Sequence, residues 1–152
     1  MARVELTRTF PVELGEAWDY LNDPHHWAEW FVNMLSVEDP DVGWAEPGDS
    51  ARFTYRLLGR TLEGECVIDE REAPTLISYT AKISGLPDVH HTWRHVEGPG
   101  PSVTTTVVQE TEEPTSFFGK VVDRMLIPRA LERDLRRTLD NLEDMFSMGV
   151  PE

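Results

Sequence analysis

The chain has 152 residues, 39% of them hydrophobic, with 14 basic against 28 acidic side chains and a net charge of −14. That length suits one domain, 1–152, and a field of that sign repels phosphate backbones and anionic membranes, so no nucleic-acid partner is expected. No apolar run approaches the ~18 residues of a membrane span, MARVELTRTF lacks the apolar stretch of a signal peptide, and the single Cys66 excludes an internal disulfide; a cytoplasmic protein without membrane insertion is expected.

Residues 3–10 alternate, with Val4, Leu6 and Phe10 on one parity, which predicts a half-buried strand ended by Pro11. Leu14, Ala17, Trp18 and Leu21 then recur at helical spacing. In NDPHHWAEWF, Asp23 and Pro24 are helix-start residues, and Trp27, Trp30 and Phe31 share the face of a second short helix. Helical spacing also puts His25 beside Glu29. The next strand is expected near Asn33–Glu38.

The middle of the chain is strands separated by Gly and Pro turns. Ala51, Phe53, Tyr55 and Leu57 face one way, with Arg52 and Arg56 opposite; Gly59 marks a hairpin; Leu62, Gly64, Cys66 and Ile68 follow on the inward parity. Ile77, Tyr79, Ala81 and Ile83 repeat the pattern, as do Val89, His91, Trp93 and His95 before GPGP reverses the chain into SVTTTVVQET. Such spacing predicts an antiparallel meander, apolar on one face. A long helix closes the chain, capped at Thr115 or Ser116, stopped at Gly149, and striped by Leu131, Leu135, Leu139, Leu142, Met145 and Phe146. Pro128 is expected to kink it or split it at Ile127. Arg124, Arg129, Arg133, Arg136 and Arg137 crowd this segment. They are expected on a solvated face relieved by Glu132, Asp134 and Asp140, with an anionic partner at Arg129/Arg133/Arg137 as the minor alternative.

In this order of elements, with PVELGEAWDYLNDPHHWAEW, VIDEREAPTLISY and TLDNLEDMF, the chain resembles the START/SRPBCC superfamily, in its polyketide cyclase/dehydrase-like branch. The resemblance implies an α+β helix-grip fold: about seven antiparallel strands curved around the long C-terminal helix, with two short helices after the first strand. It also implies an elongated cavity that holds a sterol, lipid, polyketide or other apolar molecule, with the NDPHHWAEWF stretch as part of a lid. The expected function is therefore binding of a small hydrophobic or aromatic molecule. The alternatives are a polyketide cyclase/aromatase or dehydratase working in that cavity, and a chaperone-activator-like interaction module whose interior is collapsed.

Expected ligand contacts are Trp27, Trp30, Phe53, Tyr55, Ile68, Tyr79, His91, Trp93 and Met125. Candidates for acid–base work are His91, His95, Tyr79 and Glu70, the last on the parity of Ile68, where an apolar pocket would raise a carboxyl pKa. His91 and His95 stand too far apart on one strand for easy joint ligation, and HExxH and CxxC spacings are absent, so no metal and no cofactor are expected. Cys66 reads as a small buried hydrophobe.

Overall fold

The alternation of the first strand persists in three dimensions. In a computed structural model describing residues 2–112, 116–117, 120–121 and 125–149, β1 (Ala2–Phe10) buries Leu6 and Phe10 and turns Glu5, Thr7 and Thr9 outward. Helix α1 (Leu14–Leu21) buries Ala17, Trp18, Tyr20 and Leu21. A 3₁₀ turn, Pro24–His26, runs into the single turn of α2 (Trp27–Trp30), and Asp23 Oδ1 accepts the backbone N–H of His25 at 3.0 Å, as its capping position requires. The 3₁₀ turn changes which neighbours meet. His26, three residues before Glu29, contacts its Oε2 at 2.7 Å, whereas His25 turns away from Glu29.

The strands β2 (Met34–Glu38), β3 (Ser50–Leu57), β4 (Arg60–Glu72), β5 (Leu76–Ile83), β6 (Val89–Glu97) and β7 (Val103–Thr111) form a curved meander. With β1 added against β7, the order is β1-β7-β6-β5-β4-β3-β2, antiparallel throughout. Between β3 and β4 the turn residues Leu58 and Gly59 both have positive φ, 50° and 79°, the backbone a two-residue hairpin turn needs.

Helix α3 (Leu126–Met148) buries Ile127, Leu131, Leu135, Leu139, Leu142 and Phe146. Phe146 packs on Phe10 of β1 at 5.3 Å, and Asp140 reaches Arg8 at 2.5 Å. The helix starts later than its periodicity suggests. Thr115 lies outside the described residues, as does Arg124, and Ser116–Phe117 (β8) pairs with Lys120–Val121 (β9) in a separate two-stranded ribbon. Pro128 consequently occupies the third helical position instead of the interior. An N–H there has no intrahelical acceptor, so its loss costs nothing and the helix runs on unbroken to Met148. Arg129, Arg133, Arg136 and Arg137 are exposed, as a solvated face should be, with Arg136 paired to Glu132 at 3.3 Å.

Candidate ligand cavity

An apolar cavity lies between the inner face of the sheet, α3 and the α2 segment. Two tethers hold its roof: Val32 N–H donates to Thr138 Oγ1 at 3.0 Å, and the Asn141 side-chain amide donates to the Trp30 carbonyl at 3.5 Å. The wall takes Trp27, Trp30 and Phe31 from the α2 segment and Trp44 from the β2–β3 loop. Phe53 and Tyr55 come from β3, Tyr79 from β5, His91, Trp93 and His95 from β6, Gln109 from β7, and Leu131 and Asp134 from α3. About 70 Å³ is open to the centre of a water-sized sphere. That is several times the ~10–15 Å³ one water requires and about half of the ~150 Å³ of an apolar cavity that takes benzene, so a ring enters only as lining side chains give way.

Of the expected contacts, Trp27, Trp30, Phe53, Tyr55, Tyr79, His91 and Trp93 therefore share one cavity. Two do not. Ile68 is 2% exposed and packs into the core beside the cavity, and Met125 lines a separate crevice with Ala2, Val4 and Pro128. Glu70 also leaves the inner face. A bulge between Ile68 and Glu70 adds one residue to β4, so Glu70 pairs with outward Ser78 and is exposed. Arg71 takes the inward parity instead, its guanidinium 5.2 Å from the Trp18 ring centre.

The two inward histidines are not equivalent. Trp93 Nε1–H can only donate, and it reaches the Tyr79 hydroxyl oxygen at 3.1 Å. His91 Nε2 lies 2.7 Å from Gln109 Oε1, an acceptor, so it carries the proton; Nδ1 then accepts the Tyr79 hydroxyl at 2.8 Å. Burial pushes the His91 imidazole down to about 4, consistent with this neutral form. Both His91 nitrogens are thus committed. His95 is buried as deeply, its pKa likewise lowered to about 4 by desolvation, yet only Nδ1 is engaged, at 2.8 Å from Thr105 Oγ1. Its Nε2 has no hydrogen-bond partner among the described residues. Tyr79 and Tyr55 are both shifted upward, burial being the main cause, so each stays protonated as a hydroxyl. Cys66 donates weakly to the Ala51 carbonyl at 3.6 Å, and burial pushes its thiol up to about 12, which suits a packing residue.

The profile of the polyketide cyclase/dehydrase and lipid transport family matches residues 1–146. The chain belongs to that family. No curated protein matches it by sequence at a significant level. Among solved structures, an aromatase/cyclase from Streptomyces superposes with a TM-score of 0.83 at 17% identity, covering 99% of this chain and 96% of that one. A START superfamily protein from Mycobacterium smegmatis gives 0.77 at 11% identity over 96% and 97% of the two chains. A protein of the dynemicin biosynthetic locus gives 0.67 at 18% identity over 95% of this chain and 47% of its own. At such identities the likeness is one of fold.

Within this family member, sequence reasoning missed Asp134, read as a surface counter-charge but 1% exposed on the cavity wall. The signal was present: Asp134 falls between Leu131 and Thr138 at three and four residues, on the apolar stripe of α3. Trp44 was also missed, because an irregular loop has no periodicity to place a side chain. Its ring meets Trp27 edge-on at 4.9 Å. No helix of the described residues is long and apolar enough to cross a membrane, and among them no group of three or more His, Cys, Asp or Glu is placed to hold a metal ion.

Proposed function

We propose that the protein binds one small hydrophobic or aromatic molecule, polyketide- or lipid-like, in the cavity between sheet and α3. The observation that carries this reading is the wall itself: four tryptophans, Phe31, Phe53, Tyr55 and Tyr79 surround a space that the side chains leave open. A chaperone-activator-like module needs no such interior. Every ~100 Å² of apolar ligand surface buried there contributes about 2.5 kcal/mol before the costs of association. Admission of a ring-sized or larger ligand requires the Trp27–Trp44 contact between lid and loop to part.

A second reading, cyclisation or dehydration of a polyketide-like substrate, is supported by His95 Nε2 and Asp134 Oδ1, which lie beside the same cavity with no hydrogen-bond partner among the described residues. In its Nδ1–H tautomer His95 presents a lone pair at Nε2. It would accept a proton from the carbon between two ketones, and the enolate would attack a second carbonyl within the folded chain. The imidazolium would return that proton to the new alkoxide, and departure of water would follow. The kind of structure shared with the Streptomyces aromatase/cyclase supports this reading at the level of fold.

Native mass spectrometry of the purified protein beside its denatured mass tests the binding reading. An extra mass of a few hundred daltons that moves into an organic extract is expected. A bare protein whose tryptophan fluorescence also ignores added naphthalene overturns it. Conversion of an added poly-β-ketone to a cyclic product, lost in His95→Gln, is the outcome expected of the enzyme.

A further inference from the structure

Three buried polar atoms among the cavity-lining residues have no hydrogen-bond partner among the described residues: Trp30 Nε1, His95 Nε2 and Asp134 Oδ1. Folded proteins leave few such atoms, and each one asks what meets it in the working state. For the tryptophans the answer is selective. Trp27 donates to the Leu21 carbonyl, Trp44 to Asn22 and Trp93 to Tyr79, so Trp30 alone of the four keeps an unused N–H.

Asp134 is the more informative group, because a carboxylate is the costliest side chain to bury beside an apolar space. Its Oδ2 accepts the Tyr55 hydroxyl at 2.5 Å. Its Oδ1 has only the charge of Arg133, whose Nε is 3.5 Å away and whose side chain is half exposed to solvent. Leu131 and Leu135 flank it on the buried stripe, where an apolar residue would serve packing better.

No lysine or arginine lines the cavity among its described residues, and both cavity histidines are neutral. A carboxylate or phosphate placed inside would face Asp134 with only the half-exposed Arg133, outside the cavity lining, to offset the repulsion, in surroundings that screen charge poorly. A hydroxyl or a protonated amine meets the opposite situation. It donates to Oδ1, and an ammonium gains further from the faces of the surrounding rings.

We propose that Asp134 makes the cavity selective by charge: it takes a ring-sized molecule presenting a hydrogen-bond donor, hydroxyl or protonated amine, to Oδ1, and it rejects carboxylates and phosphates. This rests on the reading that the cavity binds an aromatic molecule, and it removes free fatty acids from the lipid-like candidates. The Trp30 N–H adds a second demand, an acceptor oxygen elsewhere on the same ligand.

Four probes of one shape test it by calorimetric titration of the full chain at pH 7.5: naphthalene, 2-naphthylmethanol, 2-naphthylmethylammonium and 2-naphthoate. The alcohol and the ammonium are expected to bind about tenfold or more tighter than the carboxylate, the scale of one uncompensated like-charge contact. Asp134→Asn keeps the shape and removes the charge. It is expected to tighten naphthoate and bring the two ionic probes within about threefold of each other, since one poorly screened charge sets the gap. Tyr55→Phe, which keeps the carboxylate and frees its second oxygen, preserves the wild-type order and serves if the first variant does not fold. Naphthoate binding the wild type as tightly as the alcohol overturns the proposal, as does an order unchanged in Asp134→Asn. In either case naphthalene binding leaves the parent reading intact; failure of all four probes removes both.

Discussion

Lowering the pH from 7 to 5 should cost this protein stability through His91 and His95 in particular. Both are buried, and desolvation holds each near 4 in the folded state, against an ordinary value of about 6.5 in the unfolded chain. A folded pKa below the unfolded one means that the unfolded chain binds the proton first. Stability therefore rises with pH between about 4 and 6.5 and is lost as pH falls through that window. At pH 5 the penalty is about 2 kcal/mol for each histidine, approaching about 3 kcal/mol each below pH 4. Relative to pH 7, the pair should account for about 4 kcal/mol of lost stability at pH 5, a large share of what a domain of this size possesses. Urea unfolding at pH 5, 6 and 7 measures it, with the wild type compared against a His91→Met/His95→Met variant. The variant loses the Tyr79 and Gln109 contacts and starts less stable, but the slope with pH is the readout. The carboxylates titrate in both proteins and cancel. Parallel slopes would refute the argument, because they would mean that water or a rearranged wall solvates the imidazolium in the folded state.

Other perturbations separate the roles of individual residues. Gly64→Ala puts a Cβ 2.6 Å from Phe53 Cζ and 2.8 Å from Cε2; crowding of that kind should lower stability by about 1–3 kcal/mol and push Phe53 toward the cavity, weakening naphthalene binding in the same titration. Leu139→Ala, at a fully buried position on α3 that does not line the cavity, should cost about 2–5 kcal/mol in urea unfolding and leave naphthalene affinity unchanged. His25 bridges Asp23 Oδ1 at 2.8 Å and Asp41 Oδ1 at 2.7 Å, tying the 3₁₀ turn before α2 to the β2–β3 loop, and the Asp23 and Asp41 hydrogen bonds raise its pKa. Only the imidazolium donates at both nitrogens, so the bridge is complete at low pH and fails as pH rises through that raised value. Stopped-flow quenching of tryptophan by naphthalene should show faster uptake at higher pH, and Asp41→Asn should be fast throughout; a rate independent of pH in the wild type removes the bridge from the lid.

What could be read from the sequence was whatever repeats. Strand parity placed Phe53, Tyr55, Tyr79, His91 and Trp93 on one face, because a period of two survives the curvature of the sheet, and their convergence around a cavity follows from that face meeting α3. The failures lie where a single residue breaks the repeat. One inserted residue in β4 sends Glu70 outward and brings Arg71 in, and no propensity in IDERE announces where the bulge falls. The start of α3 at Leu126 places Pro128 in the first turn, where its ring is harmless, whereas periodicity alone ran the helix back through it. Asp134 was misread for a different reason. Charge spacing along α3 treated it as one more acid among arginines, and that arithmetic takes no account of which acids the helix turns inward. Asp140 does point outward and finds Arg8; Asp134, six residues earlier, points to the cavity and finds Tyr55. A polar residue inside an apolar stripe is costly to keep, so its position was the most informative departure from pattern in the helix. It is also the departure from which the charge preference of the cavity can be argued.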